Sequence, residues 1–247
     1  MHNAVLISCE VDMLAHWLKK YTTDLLPAHC EVCQLDIAAE AELSWLCEHC
    51  QRYVAESPRC CRCGLPTPTY VEVCGRCLVQ PPKWQHVYCV GGYQAPLSSY
   101  VHRLKFERQF WQAAKLAELL APRISQPAEL ITSVPLHWRR HWHRGFNQSE
   151  MIALNVAKRL DLPYQKLFQR IRATSPQQGK NKRQREQNLR GAFKLIQPVN
   201  VSHVAIVDDV LTTGSTVRHL CKLLLDAGVK SVDIYCICRT PEPSEKD

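Results

Sequence analysis

The 247-residue chain has no apolar run long enough to span a bilayer, which takes about 18 residues or more, so a membrane-crossing helix is excluded on hydropathy. It also lacks an export signature: the only basic residues of its first 26, Lys19 and Lys20, follow the apolar stretch instead of preceding it, and acids interrupt that stretch. The expected compartment is therefore the cytoplasm, and residues 11–26 read as an amphipathic helix. Beyond paired cysteines there is no internal repeat. Residues 27–80 are too short and too poor in aromatics to bury much core, so that segment must gain its folding energy elsewhere.

The 14 cysteines supply the means. Without export, they point to metal binding rather than disulfides. Four Cys-x-x-Cys pairs follow one another: Cys30/Cys33, Cys47/Cys50, Cys60/Cys63 and Cys74/Cys77, separated by 13, 9 and 10 residues. Each pair can form a knuckle that offers two thiolates to one ion, and two knuckles complete a tetrahedral zinc site. Two structural Zn²⁺ are expected. Sequential pairing is the simplest arrangement, with a crossed one and a redox pair left open. Cys61, beside Cys60, adds ambiguity, while Cys9, Cys89, Cys221, Cys236 and Cys238 read as small apolar residues.

The formal charge of +8 is unevenly spread. Residues 1–80 hold 6 Lys and Arg against 10 Asp and Glu, a formal −4, and residues 81–247 hold 25 against 13, a formal +12. An anionic ligand is expected in the second part. Prolines 66, 68, 81 and 82 mark turns and a boundary near residue 80, giving an N-terminal helix (1–26), a double zinc ribbon (27–80) and a larger domain (81–247).

In the larger domain, WQHVYCVGGYQ reads as a strand or hairpin and residues 97–124 as helical. LITSVP is a short strand, an arginine-rich loop runs to Asn147, and Ser149–Leu160 is a helix. Residues 166–190 form a basic segment without clean periodicity. HVAIVDD is a buried strand, Ser215–Ala227 a helix, and VDIYCIC another strand. This alternation predicts an α/β domain with a parallel sheet flanked by helices.

The sharpest motif is VAIVDDVLTTGSTV, residues 204–217. An apolar strand ends in Asp208 and Asp209, and Thr212, Thr213, Gly214, Ser215 and Thr216 then open a helix. Backbone N–H groups, hydroxyls and the helix dipole suit a phosphate, Gly214 permits the turn, and the acids suit ribose hydroxyls. The position beyond the carboxyl end of a strand is where open parallel sheets bind ligands.

This run resembles the 5-phosphoribosyl-1-diphosphate motif of type I phosphoribosyltransferases. With CxxCGLP (Cys60–Pro66), CGRC (Cys74–Cys77), LKF (Leu104–Phe106), SVPLHWRRHWHRGFNQSE (Ser133–Glu150), RxRAT (Arg170–Thr174) and RxxNLRGAF (Arg185–Phe193), the chain from about Leu26 to Thr240 resembles the competence protein F (ComF) family, GntX-like branch. The resemblance implies a type I phosphoribosyltransferase fold behind a zinc ribbon, Mg²⁺ with the diphosphate, and a role in DNA uptake or the use of DNA as a nutrient. Partners would be the diphosphate, single-stranded DNA, and DNA-uptake or helicase proteins. It makes Val134–Asn147 the loop facing pyrophosphate, where Arg139, Arg140 and Arg144 offer forked donors and His137, His141 and His143 alternate with them. Lys105, Arg172 and Arg183 are further basic candidates, with Lys180, Lys182, Arg185 and Arg190 beside them. No base or nucleobase-recognition element is identifiable, so turnover stays open between a transferase, a single-stranded DNA-binding accessory using Trp111, Trp138, Trp142 and Phe146, and a sensor of the diphosphate.

Overall fold

A computed structural model describes residues 28–38, 41–136, 145–171 and 191–241. The helix expected over 11–26 lies outside these residues. The chain forms two compact units that meet in sequence between Ala55 and Glu56, between the second and third cysteine pairs.

The first unit is built on knuckles. Cys30 C=O accepts the Gln34 N–H at 2.8 Å and His29 bridges to Asp36, which closes the first turn. The second pair is carried by a one-turn helix, α1 (Glu48–Gln51), continued by a 3₁₀ turn (Arg52–Val54). Among the described residues of this unit, Ile37, Leu43, Trp45, Leu46 and Val54 are the buried large apolar side chains.

The second unit opens with the other two pairs, the last on helix α2 (Gly75–Val79). The four-stranded sheet that follows has the order β1-β6-β5-β2, from β1 (Val87–Gly91), β2 (Leu130–Ser133), β5 (His203–Leu211) and β6 (Ser231–Arg239), and every pairing is parallel. Parallel strands are buried on both faces, which is why VAIV and VDIYCIC read as unbroken apolar runs. Val204 and Ile206 pack with Val217, Leu220 and Leu224 of α6 (Ser215–Asp226). Helices α3 (Leu97–Phe106), α4 (Gln112–Leu120) and α5 (Gln148–Leu160) supply Leu104, Leu116 and Ile152 as further buried apolar side chains. The expected α/β class, parallel sheet and flanking helices are all present.

VYCVG is a strand paired with β6, one of the two expected forms, and two other details differ from the sequence expectations. Gly91 is small because Leu97 crowds it: an added Cβ would stand 2.8 Å from Leu97 Cδ1. The helical stretch 97–124 breaks at Glu107–Trp111, where Arg108 takes φ +56°, and closes with a 3₁₀ turn at Ala121–Arg123. A two-stranded antiparallel ribbon, β3 (Phe168–Arg170) with β4 (Phe193–Leu195), had no periodic signal because each strand is only three residues long.

Candidate phosphate site and cysteine quartets

Successive side chains leave a strand on opposite faces, so the adjacent acids at the end of β5 diverge. Asp209, 6% exposed, meets the ammonium of Lys105 at 2.5 Å and also accepts the Val210 N–H at 2.8 Å. Lys105 stands in the last turn of α3. Asp208 is half-buried and accepts two hydrogen bonds on one oxygen, from Ser149 Oγ at 3.1 Å and from the Asp209 N–H at 2.9 Å. Burial and the neighbouring Asp209 carboxylate push the Asp208 carboxyl up to about 8, against the opposing pull of Lys105 and of the Ser149 bond.

The turn that follows has the conformation the motif requires. Gly214 is left-handed, with φ +70°, and serves as the N-cap of α6. Thr213 and Ser215 exchange a hydroxyl hydrogen bond at 2.9 Å. Thr212 is exposed, Thr213 and Thr216 are partly exposed, and Ser215 is buried. The Trp84 ring lies against Gly214, where an added Cβ would stand 2.8 Å from its Cη2.

Beside the carboxyl end of β2 lies a cleft of about 1240 Å³. Its lining includes Ser133, Asn147 and Glu150 together with Lys166, Arg170 and Lys194. Pro135, Leu136 and Gly145, the described ends of the expected pyrophosphate loop Val134–Asn147, also border it. Arg139, Arg140, Arg144, Arg172 and Arg183 lie outside the described residues, as do His137, His141, His143, Trp138 and Trp142. Trp111 is 58% exposed, and Phe146 meets Phe110 edge to face at 4.8 Å.

Each set of two successive pairs converges: Cys30, Cys33, Cys47 and Cys50 form one quartet and Cys60, Cys63, Cys74 and Cys77 the other, with all sulfurs of a quartet within 4.8 Å of one another. Sequential pairing is thus the observed arrangement. The Cys33–Cys47 and Cys63–Cys74 sulfurs are 3.7 and 3.8 Å apart. A tetrahedron with zinc–sulfur bonds of about 2.3 Å has edges of about 3.8 Å, so both quartets fit such an ion.

Three contributors escaped sequence reasoning. Ser149 steadies Asp208, and its only signal was its place at the start of a helix. Trp84 and Arg239 hold the backbone around the phosphate turn. The one hint for Arg239 was a charge ending an otherwise apolar strand.

Comparison with known proteins agrees with this geometry. The phosphoribosyl transferase domain model matches residues 147–247. DNA utilization protein YhgH of Salmonella typhimurium is 41% identical over 226 residues, covering 87% of this chain and 98% of that protein. Its Escherichia coli K12 counterpart is 39% identical over the same length and coverage. Competence protein F of Haemophilus influenzae is 37% identical over 206 residues, covering 78% of this chain and 90% of that protein. With these relatives matched over nearly their whole length, two cysteine quartets and a phosphoribosyltransferase-type sheet, the chain belongs to the competence protein F (ComF) family.

Proposed function

We propose that this protein holds 5-phosphoribosyl-1-diphosphate at the end of β5 and serves DNA uptake or the use of DNA as a nutrient. The observation that carries this reading is the juxtaposition at residues 208–216: two acids on opposite faces, one half-buried and one buried, and a glycine-opened turn at the start of a 12-residue helix. Asp208 would accept a hydrogen bond from a ribose hydroxyl. Asp209 is held against Lys105, whose ammonium an arriving diphosphate would draw toward itself. Backbone N–H groups from Thr213 to Thr216 would hold the 5-phosphate, reinforced by the helix dipole.

Arg139, Arg140 and Arg144 face the pyrophosphate in this reading, and Lys105, Arg172 and Arg183 are further basic candidates for it. Mg²⁺, when bound, would neutralise the diphosphate and assist its departure. Zinc in the two quartets is structural, and the protein works in the cytoplasm as a phosphoribosyltransferase of unassigned acceptor. The domains divide as 1–26, 27–80 and 81–247. Calorimetric titration with the diphosphate and Mg²⁺ should show binding by the native protein, and a loss of about tenfold in Asp208→Ala, which removes the acceptor of the ribose hydroxyl. Unchanged affinity in both Asp208→Ala and Asp209→Ala removes the assignment.

A second reading, single-stranded DNA binding, is favoured by the cleft itself. Lys166, Arg170 and Lys194 line it with one acid, Glu150, and with Phe168, Ile171 and Ile196, and Trp111 is exposed on the same unit. Helicase or DNA-uptake proteins would then be its partners. Oligonucleotide affinity should fall steeply between about 50 and 200 mM salt, by roughly tenfold for every two or three phosphates contacted. A flat salt response excludes this role.

A further inference from the structure

The turn between Cys60 and Cys63 presents three consecutive carbonyls, and each is taken by a donor from the sheet domain. Cys61 C=O accepts the Val87 N–H at 2.8 Å. Arg62 C=O accepts the Trp84 indole N–H at 2.7 Å. Cys63 C=O accepts Nε–H of Arg239, also at 2.7 Å. Gly64 completes the fit: its φ is +69°, and an added Cβ would stand 2.7 Å from Val87 Cγ1.

Two of these donors also grip the phosphate turn. The Trp84 ring lies against Gly214, where an added Cβ would be 2.8 Å from its Cη2. Arg239, 4% exposed, donates from Nη1 to Leu211 C=O at 3.1 Å and to the carbonyls of Thr212 and Thr240. In a planar trans peptide the N–H points opposite to the preceding C=O. Directing the Leu211 and Thr212 carbonyls at Arg239 therefore turns the Thr212 and Thr213 N–H groups the other way. A guanidinium behind the turn also adds positive potential to it. A small cavity of about 40 Å³ lies among Cys63, Cys77, Trp84, Thr213, Gly214 and Arg239.

We infer that the quartet Cys60, Cys63, Cys74 and Cys77 sets the shape of the phosphate turn through Arg239 and Trp84, and that metal loss from this quartet weakens anion binding. Arg239 and Trp84 are positioning residues: they touch the turn's backbone, not the ligand. The link to affinity rests on the phosphate reading above, whereas the link to the turn's order does not.

Amide hydrogen exchange on the full zinc-loaded chain separates the two. Peptides covering Leu211–Thr216 should exchange about tenfold faster or more in Cys77→Ser and Arg239→Lys, the scale of one lost charge-assisted hydrogen bond in local opening. Trp84→Phe keeps a ring over Gly214 and drops only the indole donor, so its rise should be smaller. Peptides from β2 and Val204–Val207 should stay protected in all three, which distinguishes local loosening from unfolding. Chelation of the native protein should reproduce the effect and added zinc reverse it. Affinity for 5-phosphoribosyl-1-diphosphate with Mg²⁺ should fall in the same order. Native exchange at Leu211–Thr216 in every variant and after chelation overturns the inference, even if the diphosphate binds. Loosening of the turn in a protein that never binds the diphosphate overturns the functional reading and leaves the coupling standing.

Discussion

At the scale of single residues, the site is governed by how two adjacent carboxylates avoid each other. Lys105 is largely sheltered, its side chain 19% exposed, and Asp209 more so at 9%. Breaking such a pair from one side strands a buried charge, at a cost of about 3–5 kcal/mol. Lys105→Met should thus destabilise the protein by that order in urea unfolding, and adding Asp209→Asn should recover much of the loss. Additive losses in the double variant would show that the pair is not coupled. Asp208 gives a prediction of opposite sign. Its carboxyl is raised from 3.8 to about 8 by burial and by Asp209. A carboxyl raised by folding stabilises only while protonated: its contribution is complete below pH 3.8 and is lost as pH climbs through about 8. Asp208→Asn should therefore melt higher than the native protein, by a margin that grows with pH and levels off above about 8. A margin that shrinks with pH contradicts the proximity of the two charges. The pair itself was legible in the sequence, since DD between an apolar strand and TTGST has few other uses. The partners Lys105 and Ser149 come from α3 and α5, remote in sequence, and neither motif spacing nor composition assigns them to a particular acid.

At the scale of elements, legibility followed burial. Strands β5 and β6 are covered on both faces and carry long apolar runs, so their existence was plain. The ribbon β3–β4 was invisible because three residues cannot display a period of two, and the break after α3 carries neither glycine nor proline. A further feature of β6 also escaped notice. Asp233, fully buried, accepts the His86 N–H at 2.9 Å and binds the His203 Nε2 at 2.9 Å, joining the segment before β1 to the start of β5 at the sheet end opposite the phosphate turn. Hydrogen bonding to Asp233 raises the His203 pKa, burial opposing it. A histidine raised on folding stabilises fully below its ordinary 6.5, and that stabilisation is lost as pH rises through the elevated folded value. Thermal unfolding of Asp233→Asn should show a deficit of about 1–3 kcal/mol at pH 6 that narrows toward pH 9. A deficit independent of pH would mean that His203 does not carry the charge.

At the scale of the whole molecule, cysteine spacing and charge asymmetry set a cysteine-rich head apart from a basic α/β domain in the sequence. The compact units divide at Ala55, between the quartets, and the turn of the third pair, Cys61–Cys63, accepts hydrogen bonds from the Val87 N–H and from the side chains of Trp84 and Arg239. Spacing identifies a knuckle but cannot say which surface its carbonyls will meet. Elemental analysis should find two zinc ions per chain and one after Cys30→Ser, which removes a ligand from the first quartet only; two in the variant would contradict sequential closure. The most direct evidence on function would be electron density from crystals grown with 5-phosphoribosyl-1-diphosphate and Mg²⁺. The 5-phosphate should lie on the amides of Thr213–Thr216, with a ribose hydroxyl within hydrogen-bonding distance of Asp208. A diphosphate bound only along Lys166, Arg170 and Lys194, with the turn at Gly214 bare, would contradict the proposed site.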